Sequence, residues 1–333
     1  MKYTISDIAQ IAGVSKATVS RVLNNKDRGV GLETKKRVLH VIEELNYRPN
    51  TLARSVAMAH SMTVGLIVPD ISNYFYNPIA RAVDDILSPA GYAVILTNSD
   101  SDPEKEKRHL LSFIDKRVDG VILCSGVSNE SFLQEYKKYN VPLVMLGRNF
   151  DKHLSDASIA GDNYTGAIDA VAHLLQKGHS QIAYIDGNPG MAGSMQRMEG
   201  YRQALGRHGI PLDKKLKFTG DFTIDCGYDS IESLLEANTP FTAVFTGGDL
   251  IAIGAIRAMQ KHGITVPEQI EVIGFDGIAA AELFTPLLST VAKPHYEMAQ
   301  EAAKKLLALI RGEPVMMRHM LVQLTLLLRQ TTR

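Results

Sequence analysis

The segment from Ser15 to Arg21 packs two basic side chains and three hydroxyls into seven positions: Ser15, Lys16, Thr18, Ser20 and Arg21, with the small Ala17 among them. Its chemistry is hydrogen bonding to nucleic acid. An Arg or Lys presents paired donors to guanine O6 and N7, while the hydroxyls of Thr18 and Ser20 suit phosphate oxygens. A second set of polar and aromatic residues stands just after strand-like apolar runs: Asp70 to Tyr76, Ser99 and Asp100, Arg148, Asp249 and Asp276. Carboxylates accept paired hydroxyl hydrogen bonds, and aromatic faces stack on the apolar side of a sugar ring. An aspartate after a strand can also simply cap the next helix, so both readings of Asp249 and Asp276 stand at this point.

The basic segment needs a rigid carrier, and residues 4–24 supply one. Ile5, Ile8, Ala9 and Ala12 recur at the spacing of a buried helical stripe, with Ser6 or Thr4 placed to cap its start and Asp7 suited to the first turn. Gly13 permits a sharp reversal, and Ser15 caps a second helix. Val19, Val22 and Leu23 turn inward, leaving Lys16, Ala17, Ser20 and Arg21 outside. A third pattern with Val38, Val41, Ile42 and Leu45 closes a three-helix core. Amphipathic helix pairs joined by glycine also occur in proteins that never touch DNA, so charge matters. Residues 1–60 hold ten Lys/Arg against five Asp/Glu, which leaves twenty-six against thirty-one for the rest of a chain whose formal net charge is zero. A basic head thus sits on a mildly acidic body.

With 333 residues, 45% hydrophobic and 22% charged, the chain is an ordinary soluble globular sequence, long enough for a small head and a two-lobed body. Cys124 and Cys226 have no metal-ligand spacing around them, so reduced thiols and no metal are expected. The start MKYTISD lacks the design of a secretion signal, and no apolar run approaches the roughly 18 residues of a membrane helix. A cytoplasmic protein with no membrane partner is the expectation.

From Thr63 strand-like runs alternate with helical patterns: TVGLIVP, a helix over 77–87, YAVILTN, a helix over 103–116, GVILC, a helix over 129–139, and PLVML. A second series holds a helix near 164–176, QIAYID, helices over 195–208 and 226–236, TAVFT, a helix over 250–262, and EVIGFD, with a final strand in LLLRQTTR. Such alternation predicts two doubly wound α/β lobes with a ligand crevice beyond the carboxyl ends of their parallel strands. Between head and body, Pro49 bars helix at Arg48, and Asn50 can cap a short helix to about Met58. A helix under three turns is marginal in water, so it should order only when paired with a dimer mate on DNA.

The strings GVSKATVSRVLNN, TKKRV and YRPNTLARS, continued by GLIVPDISNYFY, DGVIL, RMEGYRQAL, GAIRAMQKHGITVPEQIEVIGFD and PLLSTV, closely resemble the lac and galactose repressor (LacI/GalR) family over nearly the whole chain. The resemblance implies a helix-turn-helix head at 1–46, a hinge at 47–61 and an effector-binding and dimerisation domain at 62–333 of the type I periplasmic-binding-protein kind. Its first lobe is expected at 62–160 and 278–293, its second at 161–277 and 294–333, with crossovers near 148–162 and 276–294. It implies DNA contacts from Thr4, Ser15, Lys16, Ala17, Thr18, Ser20, Arg21, Asn24, Tyr47, Asn50, Ala53 and Val56. Val56 stands where the family has a leucine that wedges a minor-groove base step, so a shallower kink is expected. Phe75, Tyr76, Arg197, Phe222, Asp249 and Asp276 match positions lining the family's effector pocket, and Asp100 and Arg148 join them from the strand-end reading.

The implied function is a transcriptional regulator, a repressor of carbohydrate genes, that binds a pseudo-palindromic operator in double-stranded DNA as a homodimer under control of a sugar-like small molecule. No cofactor is implied. Helices near 78–87 and segments near 220–235 and 278–288 are the expected dimer surfaces, and without a leucine-heptad tail a tetramer is not expected. The chain departs from the family at Gly248, where Asn is common, and at Lys293, where Gln is common. A sugar acid or phosphorylated sugar would suit that lysine. Control by a corepressor protein is an alternative within the family. A sugar kinase with a DNA-binding head is another, although GNPGMAGS (187–194) lacks the GK[ST] ending of a P-loop, and neither HExxH nor GxSxG occurs. A transport-type solute binder would fit the body but not the head.

Overall fold

A computed structural model describes residues 3–23, 29–47, 60–124, 130–147 and 153–333. The chain divides into two compact units, Met1–Ser61 and Met62–Arg333.

The first unit is built from α1 (Ile5–Ile11), α2 (Lys16–Leu23) and α3 (Leu32–Glu44). Thr4 rather than Ser6 caps α1: its backbone N–H donates to Asp7 Oδ2 at 2.8 Å while Asp7 N–H donates to Thr4 Oγ1 at 3.4 Å. This reciprocal box satisfies two orphan donors at the helix start. Gly13 turns the chain at φ +64°, a left-handed conformation that glycine reaches without steric penalty. Ile8, Ala9 and Ala12 of the first helix and its cap meet Val19 and Val22 of α2 and Val38 and Val41 of α3 in one buried core. Ile5, Leu23, Ile42 and Leu45 pack around it, partly exposed. Arg37 ties α3 back by donating Nε–H to the Ala12 carbonyl at 2.8 Å, a cation on the C-terminal carbonyls of α1.

The second unit holds two six-stranded sheets. Strands β1 (Thr63–Val68), β2 (Ala93–Asn98), β3 (Gly120–Leu123), β4 (Leu143–Leu146), β5 (Ala157–Gly161) and β11 (His319–Val322) form the first, in the order β11-β5-β4-β3-β1-β2 and parallel throughout. Strands β6 (Ile182–Asp186), β7 (Lys217–Thr219), β8 (Ala243–Thr246), β9 (Glu271–Asp276), β10 (Ser289–Ala292) and β12 (Thr325–Leu327) form the second, in the order β12-β10-β9-β8-β6-β7, with only β12 antiparallel. Covered on both faces, central strands such as β3, β4, β6 and β8 are buried at every position, which is why they read as continuous apolar runs.

The covering helices are α4 (Asn77–Leu87), α5 (Pro103–Asp115), α6 (Glu130–Tyr136), α7 (Asn163–Gln176), α8 (Ala192–Arg207), α9 (Ile224–Glu236), α10 (Asp249–Lys261) and α11 (His295–Ile310). Sequence patterning placed all of these but α11. That helix buries Met298, Ala299, Ala302, Ala303 and Leu306 in the first lobe's core beside Ile79, Val83 and Leu87 of α4. The strands β5, β7, β10 and β11 also escaped the sequence reading.

The expected lobe membership after residue 277 needs correcting. Residues 278–293 are expected in the first lobe, yet β10 pairs with β9, Ser289 beside Ile273 and Ala292 beside Asp276. Residues 294–333 are expected in the second, yet α11 and β11 complete the first, and only β12 returns to pair with β10. The reason is packing. The buried β10 needs a strand on each side and finds β9 and β12, whereas the small-residue stripe of α11 fits the open face over β3, β4 and β5. The chain therefore passes between lobes three times, after β5, after β10 and after β11.

Helices α9 and α10 touch backbone to backbone. A Cβ at Gly227 would stand 1.9 Å from the Ile251 carbonyl oxygen, and one at Gly254 would stand 1.8 Å from that of Ile224. A methyl at Gly254 must force the two helices apart, at a cost on the order of 1–3 kcal/mol. Urea unfolding followed by far-UV circular dichroism should show Gly254→Ala lowering the midpoint, while Gly206→Ala, where a Cβ meets nothing within 4 Å, should leave it unchanged or raise it.

Candidate functional site

The head presents its polar face on α2. Ser15 begins the helix by accepting the Thr18 N–H at 3.1 Å, and its hydroxyl lies 2.9 Å from that of Thr18. Thr18 is therefore engaged in the cap. Lys16, Ala17 and Arg21 are exposed and Ser20 is half-buried, whereas Val19 and Val22 are buried beneath them. Thr4 is exposed within its capping box, and Tyr47 packs partly buried against the head core. Asn24, Asn50, Ala53 and Val56 lie outside the described residues, as do Arg148 and the segment read as a hinge helix.

In the second unit the carboxyl ends of both sheets converge on one cleft. Phe75 and Tyr76 enter after β1, Cys124 after β3, Gly147 after β4, Arg197 from α8, Phe222 from the loop before α9, Asp276 from the end of β9 and Lys293 from the end of β10. The space is about 640 Å³ with the open solvent at its mouth included. Five residues expected from the sequence are thus gathered: Phe75, Tyr76, Arg197, Phe222 and Asp276. Asp249 is not among the residues lining this cleft and borders instead a smaller adjoining cavity with Asn73, Gly248 and Asp276. Asp100 is a correction: it is exposed, paired with Lys105 Nζ at 2.5 Å, and lines none of these cavities. A tight turn after β2 carries it away, with φ of +53° there and +54° at Ser101.

A buried ion pair and a part-buried one organise the cleft. Arg197, 3% exposed, donates Nη2–H to Asp186 Oδ1 at 3.0 Å and to Ser194 Oγ at 3.2 Å. Asp186 is itself held by the Gly187 N–H at 2.7 Å and by the Tyr184 hydroxyl. Lys293 Nζ lies 2.7 Å from Asp276 Oδ1. Both cations sit on aromatic rings: Arg197 Cζ is 5.1 Å from the centre of Phe275 and 5.3 Å from that of Phe222, while Lys293 Nζ is 4.9 Å from Phe275 and 5.4 Å from Phe75. Burial pushes the Asp276 carboxyl up, but Lys293 and Arg197 outweigh it and hold the group below the usual carboxylate range. Its backbone is strained as well, with φ +103°, a conformation side-chain-bearing residues rarely adopt, costing about 1–3 kcal/mol. The strain is the local condition under which the carboxylate meets Lys293.

Of the residues lining the cleft, Cys124, Gly147 and Asn163 were not singled out by the sequence reading, whereas Asn73 falls within the strand-end run Asp70–Tyr76 and Met191–Ser194 within the glycine-rich GNPGMAGS segment, whose place is beside a ligand pocket rather than in a P-loop. Lys293 was visible only as a departure from the family pattern.

A family model for the lacI family of bacterial regulatory proteins matches residues 4–50, and one for periplasmic binding proteins and the sugar binding domain of the LacI family matches 61–330. The chain belongs to the LacI family. The catabolite control protein A of Priestia megaterium is 39% identical to this LacI-family chain over 316 residues, 95% of each chain. The ribose operon repressor of Halalkalibacterium halodurans is 36% identical over 99% of this chain and 97% of its own. Among solved structures, the lac repressor dimer bound to operator and the anti-inducer ONPF superposes with a TM-score of 0.88 at 27% identity, covering 100% of this chain and 99% of that one. Among the described residues no helix is long and apolar enough to cross a membrane.

Asp249 behaves as an internal brace. It is 1% exposed, accepts the Ile278 N–H at 2.7 Å on one oxygen and the Thr290 hydroxyl at 2.6 Å on the other, and so ties the β9 exit to β10. Burial, followed by the charge of Asp276, pushes its carboxyl up to about 7. A group whose folded value exceeds its unfolded value near 3.8 keeps a proton that the unfolded chain loses, so stability falls as pH rises from about 4 to about 7. Thermal unfolding at pH 5 and 7.5 should show this loss, on the order of 1–3 kcal/mol. Asp249→Asn, which can still accept from Ile278 and donate to Thr290, should flatten the profile over that window.

Proposed function

We propose that this LacI-family chain is a repressor of carbohydrate-metabolism genes that reads a pseudo-palindromic DNA operator as a homodimer, in the cytoplasm, and takes a sugar-like effector in the cleft. The observation that carries the reading is the exposed Lys16, Ala17 and Arg21 on a capped α2, in a segment of chain with ten basic against five acidic residues. A short basic helix with its apolar side sealed into a three-helix core is suited to the major groove. Ser15, Thr18, Ser20, Thr4, Asn24 and Tyr47 are proposed as supporting backbone contacts, and Asn50, Ala53 and Val56 as contacts from the connecting segment.

Phe75, Tyr76, Arg197, Phe222 and Asp276 are the proposed effector contacts, with Arg148 as a further one. Buried polar groups beside ring faces suit a polyhydroxylated ligand. A relative is named for the ribose operon, and the matching family model is that of a sugar binding domain. The relatives are named as a control protein and a repressor, which favours a binding role over catalysis. The effector acts by preferring one angle between the lobes, and the segment 47–61 transmits that preference as pairing gained or lost between dimer mates.

Gel-shift assays on an operator selected from random duplexes test the reading. A two-fold related pair of half-sites should emerge, and Arg21→Ala should weaken binding by about 1–3 kcal/mol while relaxing the choice at one base position per half-site. A monomer in solution, or equal affinity for every duplex with and without sugars, would overturn it.

A further inference from the structure

Met62, the first residue of the second unit, stands just ahead of β1 with φ +56°, a left-handed conformation that a residue with a long side chain rarely adopts. Strained backbone persists only where its surroundings hold it, and both polar groups of Met62 are tied. Its N–H donates to Asp119 Oδ2 at 2.9 Å, and its carbonyl accepts the Ala93 N–H at 2.9 Å. Asp119, half-buried at the start of β3, donates its own N–H to the Thr63 carbonyl at 2.8 Å. The carboxylate thus extends the β1–β3 ladder by one residue. The Met62 side chain packs partly buried against the first lobe's core, so the residue that follows the segment 47–61 is fixed from three directions.

The same place receives the end of α11. A Cβ at Gly120, next to Asp119, would stand 2.7 Å from Leu306 Cδ1 and 3.2 Å from Ile310 Cδ1, so the last turns of α11 rest on the start of β3. Arg311 caps that helix. Burial first, and then the charge of Asp119, push the nearby Tyr92 phenol up, while Arg311 pulls it down, which sets the helix end and the carboxylate about one buried ring. At its other end α11 starts from His295, whose ring meets Phe75 at 4.4 Å, and both border a cavity with Lys293 at the passage between lobes. A helix of 16 residues spans about 24 Å. Held along its length by the buried stripe Met298, Ala299, Ala302, Ala303 and Leu306, α11 is one rigid element with the lobe passage at one end and Asp119 at the other.

We infer that Asp119 is a positioning residue for operator binding, a latch on Met62 through which α11 carries the state of the lobe passage to the segment 47–61. Its carboxylate fixes the backbone from which that segment departs, and the end of α11 bears on the strand that carries the carboxylate. A shift of α11 therefore loosens or tightens the latch. The inference rests on the operator-binding reading given above.

Gel shifts of the full-length protein on its selected operator and on an unrelated duplex test it. Asp119→Ala should weaken operator binding about fivefold or more and leave affinity for the unrelated duplex within twofold, because the residues of the head are unchanged. Asp119→Asn, which keeps an acceptor for the Met62 N–H, should stay within twofold of the wild type on both. If Asp119→Ala fails to fold by circular dichroism, Asp119→Glu, which keeps the charge and moves the acceptor by one methylene, carries the same expectation. A double-mutant cycle with Phe75→Ala, which removes the contact with His295, tests the relay. Distant sites with no shared partner have additive effects unless an element connects them. Phe75→Ala should change operator affinity about fivefold in the wild type and less than twofold in the Asp119 variant. Equal changes in both backgrounds, or none in either, would overturn the relay. An Asp119 variant that binds the operator like the wild type, or that loses operator and unrelated duplex alike, would overturn the latch. Wild-type protein with no preference for any selected duplex would overturn the operator reading instead.

Discussion

Burying two cations in one cleft is the constraint around which the second unit is arranged. An unpaired ammonium or guanidinium taken out of water loses several kcal/mol of hydration even after relaxation, so each must bring a carboxylate with it. Arg197 brings Asp186, which in turn recruits the Tyr184 hydroxyl and the Gly187 amide. Lys293 brings Asp276, whose backbone is held at φ +103°. The ring of Phe275 lies about 5 Å from both cations and contributes its face to each. Asp249, in turn, stays buried below Asp276 and is pushed toward neutrality by burial and by that neighbouring charge. The strand ends of β6, β9 and β10 are thus fixed relative to one another by charge as well as by sheet hydrogen bonds.

Much of this fold could be read from the sequence because its periods are unambiguous. The runs at 64–68, 121–123 and 243–245 are apolar at each step, the mark of strands covered on both faces, and the helices between them carry clean stripes. What periodicity does not give is an address. β10 is a short buried strand and α11 a helix with an Ala-rich face, and nothing in either says which sheet it joins. That choice is made by shape, through Ala299, Ala302 and Ala303 admitting α11 close to the first sheet. The exchange of lobe membership after residue 277 follows from this.

The cleft was legible to a different degree. Residues at strand ends were the right place to look, since the strand order of both sheets reverses there, and Asp276 lies in the cleft. Position along the chain does not fix where a side chain goes, however. Asp249 begins a helix yet spends both oxygens on Ile278 and Thr290, and Asp100 is turned out by two consecutive left-handed residues. Asn163 was hidden because it sits inside the first turn of a helix, where an asparagine normally reads as part of a cap. In the head, Thr18 carries a hydroxyl at the right spacing for phosphate but uses it on Ser15.

The cleft also lies at the passage between the lobes, which gives ligand binding a mechanical consequence. Lys293 donates its backbone N–H to the Asp276 carbonyl at 3.0 Å, His295 Nε2 lies 2.8 Å from the same oxygen, and α11 begins at His295. From the first lobe, the Phe75 ring meets His295 at 4.4 Å between centroids, edge to face. A ligand that engages Lys293 therefore touches the residue at which the chain leaves one lobe for the other, one that engages Asp276 touches the group hydrogen-bonded to it, and one that stacks on Phe75 touches the opposing lobe as well. Ligands shift a conformational equilibrium only by the difference in their contacts to its two states. Contacts divided between two lobes at their crossing supply such a difference, because opening the cleft must give up one set or the other.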